Sequence, residues 1–282
     1  MNQSGQSLLL EQVIGWAQTQ AGIRAVALVG SAARQDRPAD EWSDLDLVLV
    51  AADPQAYLAS TDWLAEFGEP WFSFVERDPA GQAIERRVLF ASGKDVDFII
   101  LPVESGRQGF AGTFVPEIAA RGLRVILDKD GILPLLPAAT SGGPVQPPLY
   151  EEFSEVVNDF WFHTVWTAKK LRRGELWVAK WCCDDYLKRL LLRMLEWQAG
   201  GADTWFNGRF LERWASPAVL DKLRIAFARY EEQDVWRALR VSMELFDEVA
   251  RGTARRWRYD YPAENVDKVM RWVETSLRCN AP

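Results

Sequence analysis

A chain of 282 residues, 48% hydrophobic and 26% charged, has the composition of a globular protein with room for two domains of ordinary size. Three cysteines, two of them the adjacent Cys182 and Cys183, make no disulfide framework, and a single histidine excludes a zinc site and argues against Ser-His-Asp or Cys-His catalysis. The net charge of −7 falls almost wholly in residues 1–140, which carry 11 Lys and Arg against 19 Asp and Glu, so a nucleic-acid partner, which rewards basic surface, is not expected.

Residues 8–20 place Leu8, Leu9, Val13, Ile14 and Trp16 at helical spacing and predict an amphipathic helix. Ala25-Val26-Ala27-Leu28-Val29 is a short apolar run ending in Gly30-Ser31, the pattern of a buried strand that leads into a tight turn. Residues 32–41 are polar, contain Pro38 and read as a loop. A second strand follows over Leu45–Val50. Side chains alternate along a strand, so Asp44 and Asp46 share one face while Leu45 and Leu47 share the other. Two carboxylates side by side repel unless a cation lies between them, and hard carboxylate oxygens suit Mg²⁺, which is usually shared with substrate phosphates. The small-residue turn at Gly30-Ser31 offers backbone N–H groups to phosphate at short range. Together these features predict nucleotide chemistry on a metal, although neither a Walker-type loop nor a dinucleotide glycine fingerprint is present.

A helix is expected over residues 54–67, with Pro54 in its first turn, then strands over 70–76, 86–91 and 95–101. The last two are joined by Ser92-Gly93-Lys94 as a hairpin, and Asp95 and Asp97 fall on one face of the second. Residues 133–150 are rich in Pro, Gly, Ser and Thr and cannot sustain helix or ladder; they read as a linker. Beyond it, residues 151–172, 176–199, 217–230, 232–251 and 264–278 show helical periodicity and hold most of the tryptophans, which at that spacing are core residues. His163, among Trp161, Phe162, Val165 and Trp166, reads as structural.

Gly30-Ser31 followed by Ser43-Asp44-Leu45-Asp46-Leu47 resembles the signature of the DNA polymerase β-like nucleotidyltransferase superfamily. In the second half, Asp159-Phe160-Trp161, the run Ala168 to Leu176 and Leu191 to Trp197, with the late Tyr261-Pro262, are similar to the helical half of aminoglycoside 6-adenylyltransferases, so the likeness covers nearly the whole chain. It implies an α+β fold: a nucleotidyltransferase domain over 1–135 with a mixed sheet flanked by helices, a linker over 136–149, and an all-helical substrate-binding domain over 150–282. It implies two Mg²⁺ ions held by Asp44, Asp46 and Asp97, with Asp95 as the alternative third acid, and AMP transfer from ATP to a hydroxyl of a streptomycin-like aminoglycoside. Asp44, Asp46 and Asp97 are then the catalytic carboxylates. Gly30 and Ser31 cradle the phosphates. The family usually has Arg directly after Gly-Ser; here that position is Ala32, and Arg34 is the candidate to take over the contact. Lys169 is the further candidate for the ATP phosphates. Glu85, Trp161 and Glu175 are candidates for the acceptor, a cationic small molecule that an acidic first half would attract. A different hydroxylated acceptor, or a regulatory nucleotide binder, is the competing reading. No apolar run reaches membrane length and no opening segment resembles a signal peptide, so a cytoplasmic monomer is expected.

Overall fold

The computed structural model describes residues 5–33, 39–77, 83–91, 93–111, 113, 119, 122–133, 147–200, 204 and 208–278. Arg34, Pro38, Ser92 and most of the expected linker lie outside the described residues. The chain divides into two compact units, residues 1–141 and 142–282.

The first unit is built on a six-stranded mixed sheet. Its strands are β1 (Ile23–Leu28), β2 (Leu45–Ala51), β3 (Pro70–Arg77), β4 (Ala83–Phe90), β5 (Asp95–Pro102) and β6 (Arg124–Asp128), in the order β3-β4-β5-β2-β1-β6. β2 and β5 run parallel; the other neighbouring pairs are antiparallel. The central strands are buried on both faces, which is why they read as nearly unbroken apolar runs. Leu45, Leu47, Leu49, Phe98 and Ile100 pack on one face with Leu9, Val13 and Ala17 of α1 (Gly5–Thr19). Ala25, Ala27, Val48, Val50, Ile99 and Leu101 pack on the other with Phe110. Aromatic rings close the first face: Trp16 stacks on Trp63 at 5.3 Å, and Trp63 meets Phe98 edge-on at 4.9 Å.

The expected helix over 54–67 is two pieces. α2 (Pro54–Ala59) is capped by Asp53, whose side chain accepts from the Gln55 N–H, and a 3₁₀ segment follows at Asp62–Phe67. Between them Ser60 is extended (ψ 151°), and the Trp63 indole N–H donates to the Ser60 and Tyr57 carbonyls freed by the break. Tertiary packing of Trp63 thus overrides helical periodicity. The short α3 (Val103–Arg107) and the edge strand β6 were not anticipated either.

The second unit is helical: α4 (Tyr150–Arg172), α5 (Leu176–Trp181), α6 (Leu187–Ala199), α7 (Leu211–Trp214), α8 (Pro217–Ala226), α9 (Glu232–Trp257) and α10 (Ala263–Arg278). α4 and α9 share its core, where Phe160 and Phe246 stack with parallel rings. The stretch expected as one helix over 176–199 is interrupted by a π-helical turn at Cys182–Tyr186. No helix among the described residues is long and apolar enough to cross a membrane.

Candidate active site

The parallel pairing of β2 and β5 sets Asp46 directly beside Asp97, because the register runs Leu45 to Val96, Asp46 to Asp97 and Leu47 to Phe98. A one-residue slip of either strand would turn its carboxylate to the face of Leu45, Leu47 and Phe98, so the burial of that face opposes it. Asp44 enters from the turn before β2. There the Asp40 side chain accepts from the Trp42 N–H at 3.0 Å, and the Ser43 hydroxyl accepts from the Asp40 N–H at 3.0 Å. Oxygens of Asp44, Asp46 and Asp97 all lie within 4.8 Å of one another. Asp95 stays outside this cluster and is exposed.

Gly30 is fitted to the cluster. The Val29 N–H donates to the Asp46 carbonyl at 3.0 Å, which locks the start of the turn against β2. Gly30 then takes φ +64°, and a Cβ added there would lie 1.8 Å from Asp46 Oδ2. Only glycine permits both the left-handed backbone and this approach. Ser31, next in the turn, has a buried hydroxyl with no hydrogen-bond partner among the described residues. A buried hydroxyl left unbonded costs free energy, and a phosphate oxygen is the kind of group that would satisfy it.

A second charge group backs Asp97 from β4. Arg87, opposite Asp97 in the β4–β5 register, lies 3.7 Å from Asp97 Oδ2, 3.5 Å from Glu85 Oε1 and 2.7 Å from Glu76 Oε2. Glu85 and Asp97 are only 8% and 9% exposed. Burial, then the Asp97 charge, pushes the Glu85 carboxyl up to about 7, with Arg87 opposing. Burial also raises Asp97, again against Arg87, and the two carboxyls share a hydrogen bond. Glu85, a candidate for the acceptor, is placed here as a buried partner of Asp97 and Arg87. Reading the sequence missed Arg87. Its neighbour Arg86 points to the opposite face and donates to the Tyr57 carbonyl at 3.0 Å, so only strand alternation separates the two arginines.

The remaining candidates belong to the second unit. Trp161 is 6% exposed, packs edge-on against Phe160 and Phe246, and donates its indole N–H to the Tyr261 hydroxyl at 3.3 Å. It is a core residue, and the idea of it as an acceptor shelf is corrected accordingly. Glu175 precedes α5 and is held by Lys170 (2.6 Å) and by Arg173. Those partners, Lys170 first, keep its carboxyl below the ordinary range, so its charge is already matched within its own unit. Lys169 is exposed on α4.

Three carboxylates converging at the ends of adjacent strands, beside a glycine turn with an unbonded buried hydroxyl, suit hard divalent cations such as Mg²⁺ and the phosphates those cations accompany. Fold and site together define a nucleotidyltransferase. The chain belongs to the streptomycin adenylyltransferase family, whose profile matches residues 4–276. It is 25% identical over 272 residues to an aminoglycoside 6-adenylyltransferase of Campylobacter jejuni, covering 93% of this chain and 92% of that one. A Bacillus subtilis (strain 168) aminoglycoside 6-adenylyltransferase is 22% identical over 297 residues, with 96% and 98% covered. The crystal structure of an aminoglycoside 6-adenyltransferase from Bacillus subtilis aligns over 98% of this chain and 99% of that one at 19% identity, with a TM-score of 0.46.

Two consequences are measurable. Gly30→Ala forces a left-handed alanine, at a cost of about 1–2 kcal/mol, and displaces the Asp46 carboxylate. Turnover is expected to fall at least about tenfold, the effect of one 1.4 kcal/mol step, while the fold survives; wild-type turnover would show that Asp46 need not stay where it is. Glu85, whose carboxyl is raised from 4.5 to about 7, contributes stability that is complete below about 4.5 and lost as pH rises through about 7. In EDTA, Glu85→Gln is expected to melt close to wild type at pH 5 and several degrees above it at pH 8. A variant no more stable than wild type at pH 8 would contradict the buried, proton-sharing arrangement.

Proposed function

We propose that this enzyme transfers the adenylyl group of ATP to a hydroxyl of an aminoglycoside, streptomycin-like by family, and releases pyrophosphate. The observation that carries this reading is the convergence of Asp46 and Asp97, on two adjacent strands, with Asp44 from the turn before β2. The names of the curated relatives support the choice of acceptor. The surplus of acid in residues 1–140 favours a cationic small molecule over nucleic acid.

Asp44, Asp46 and Asp97 would hold two Mg²⁺ ions. When bound, these ions neutralise the charge that builds on the phosphates during in-line displacement. The chain's own groups do the positioning. The Gly30 turn and the Ser31 hydroxyl contact the β- and γ-phosphates, and Lys169 and Arg34 are further phosphate candidates. Asp97, on the strand beside Asp46, accepts the proton of the attacking acceptor hydroxyl. Its place on β5, in register with Asp46, sets it beside the other two carboxylates. Arg87, 3.7 Å from Asp97 Oδ2, opposes the effect of burial by favouring the charged carboxylate.

Pyrophosphate release from MgATP with a panel of aminoglycosides that includes streptomycin tests the assignment. Release should require an acceptor, and Asp46→Asn should reduce it by at least about 100-fold, the scale of losing one electrostatic stabiliser. MgATP binding with no release across the panel would favour a nucleotide-binding regulator, and an Asp46→Asn variant within a few-fold of wild type would remove the metal site from the chemistry.

A further inference from the structure

The chain's only histidine is not core filling. On α4, Asp159, His163, Trp166 and Lys170 recur at helical spacing and form one half-buried stripe. His163 Nδ1 lies 2.6 Å from Asp159 Oδ1, and the Tyr186 hydroxyl donates to Asp159 Oδ2 at 2.8 Å. One carboxylate therefore orients both rings, and their centroids are 4.4 Å apart. Trp166 lies at 6.1 Å from the histidine ring, and Trp181, half exposed, at 6.1 Å from Tyr186. His163 Nδ1 also lies 3.1 Å from the Asp159 carbonyl, and among the described residues Nε2 is left for another partner.

Tyr186 reaches this stripe because α5 passes into the π-helical turn Cys182–Tyr186. The extra residue rotates the following side chains, and such turns are frequent at functional sites. Here the turn is held at some expense. The ammonium of Lys188, 9% exposed, donates to the Cys183 carbonyl at 2.9 Å and to the Ser242 hydroxyl at 2.7 Å. Asp184 is tied to Lys180 and accepts from the Ala228 N–H at 3.2 Å. A buried lysine is a costly way to satisfy a carbonyl. What the turn accomplishes on the surface is to lay a tyrosine over a histidine, on a shared carboxylate, between two tryptophans.

We propose that the face formed by Asp159, His163, Trp166, Trp181 and Tyr186 is a sugar-binding subsite for the acceptor, an inference that rests on the aminoglycoside reading above. Aromatic faces pack against the C–H faces of a sugar ring. The imidazole Nε2 and the phenol oxygen take its hydroxyl or ammonium groups, and Asp159 supplies negative charge behind them. Lys170, which lies 5.1 Å over the Trp166 ring, is neutralised by Glu175 and so does not repel a cationic ligand.

Trp181→Ala and Tyr186→Phe test the assignment, with Trp177→Ala, an exposed tryptophan packed instead against Tyr230, as the control. Binding of streptomycin alone and of MgATP alone is measured by calorimetry, together with KM and kcat for whichever aminoglycoside the wild type adenylylates. The expected result is a rise of at least tenfold in acceptor Kd and KM for Trp181→Ala and severalfold for Tyr186→Phe, with MgATP affinity and melting temperature unchanged and Trp177→Ala like wild type. Acceptor constants within twofold of wild type in both variants, while the wild type turns over, would overturn the subsite and leave the function standing. Weakened MgATP binding instead would assign the rings to the nucleotide and overturn it as well. A wild type that adenylylates no aminoglycoside would overturn the functional reading and this subsite with it.

Discussion

Asp46 and Asp97 are held side by side by a sheet whose remaining residues have every reason to pair in that register. Carboxylate oxygens within 4.8 Å of one another repel by about 3 kcal/mol at an effective dielectric near 20, and a third carboxylate adds to this. That repulsion is sustained by Leu45, Leu47 and Leu49 on β2 and by Val96, Phe98 and Ile100 on β5, each buried on a continuous face. Burial of such side chains contributes about 1.5–3 kcal/mol apiece, so the strands do not part to relieve the charges. Hydrophobic burial along the two strands thus holds the three carboxylates together, and a divalent cation bound there would offset their mutual repulsion.

The surrounding residues make sense as management of that repulsion. Gly30 lets the preceding turn close onto Asp46 without displacing it. Arg87 stands on the far side of Asp97 and is anchored in turn by Glu76. Glu85, raised to about 7, is partly protonated near neutral pH, so the buried end of the cluster carries less negative charge than its count of acids suggests. The α+β fold matters to function mainly because one parallel pair in an otherwise antiparallel sheet brings two acids from distant sequence into register.

Much of this was legible beforehand, and the gaps have physical causes. The apolar runs of β1 and β2, the glycine-serine turn and the shared face of Asp44 and Asp46 follow from alternation and composition alone. The preference for Asp97 over Asp95 rested on the family resemblance, since both share a face; strand pairing adds the physical reason, setting Asp97 beside Asp46. β6 escaped because Arg124-Val125-Ile126-Leu127-Asp128 has no period of its own and is a strand only through pairing with β1. Trp161 looked like a shelf because an indole carries no mark of which way its helix faces, whereas the structure gives it to Tyr261. The π-helical turn was invisible, because its interruption of helical spacing spans five residues within an otherwise amphipathic run.

Titration of the purified chain with Mn²⁺, followed by the loss of its free-ion electron paramagnetic resonance signal, tests the central claim without any assumption about the acceptor. If Asp44, Asp46 and Asp97 form a divalent-cation site, the chain should bind Mn²⁺ saturably, Mg²⁺ should compete, and Asp44→Asn, Asp46→Asn and Asp97→Asn should each weaken binding at least tenfold, whereas Asp95→Asn should not. Mn²⁺ affinity equal in wild type and all three cluster variants would contradict the account, and the convergence of the three acids would then require another explanation.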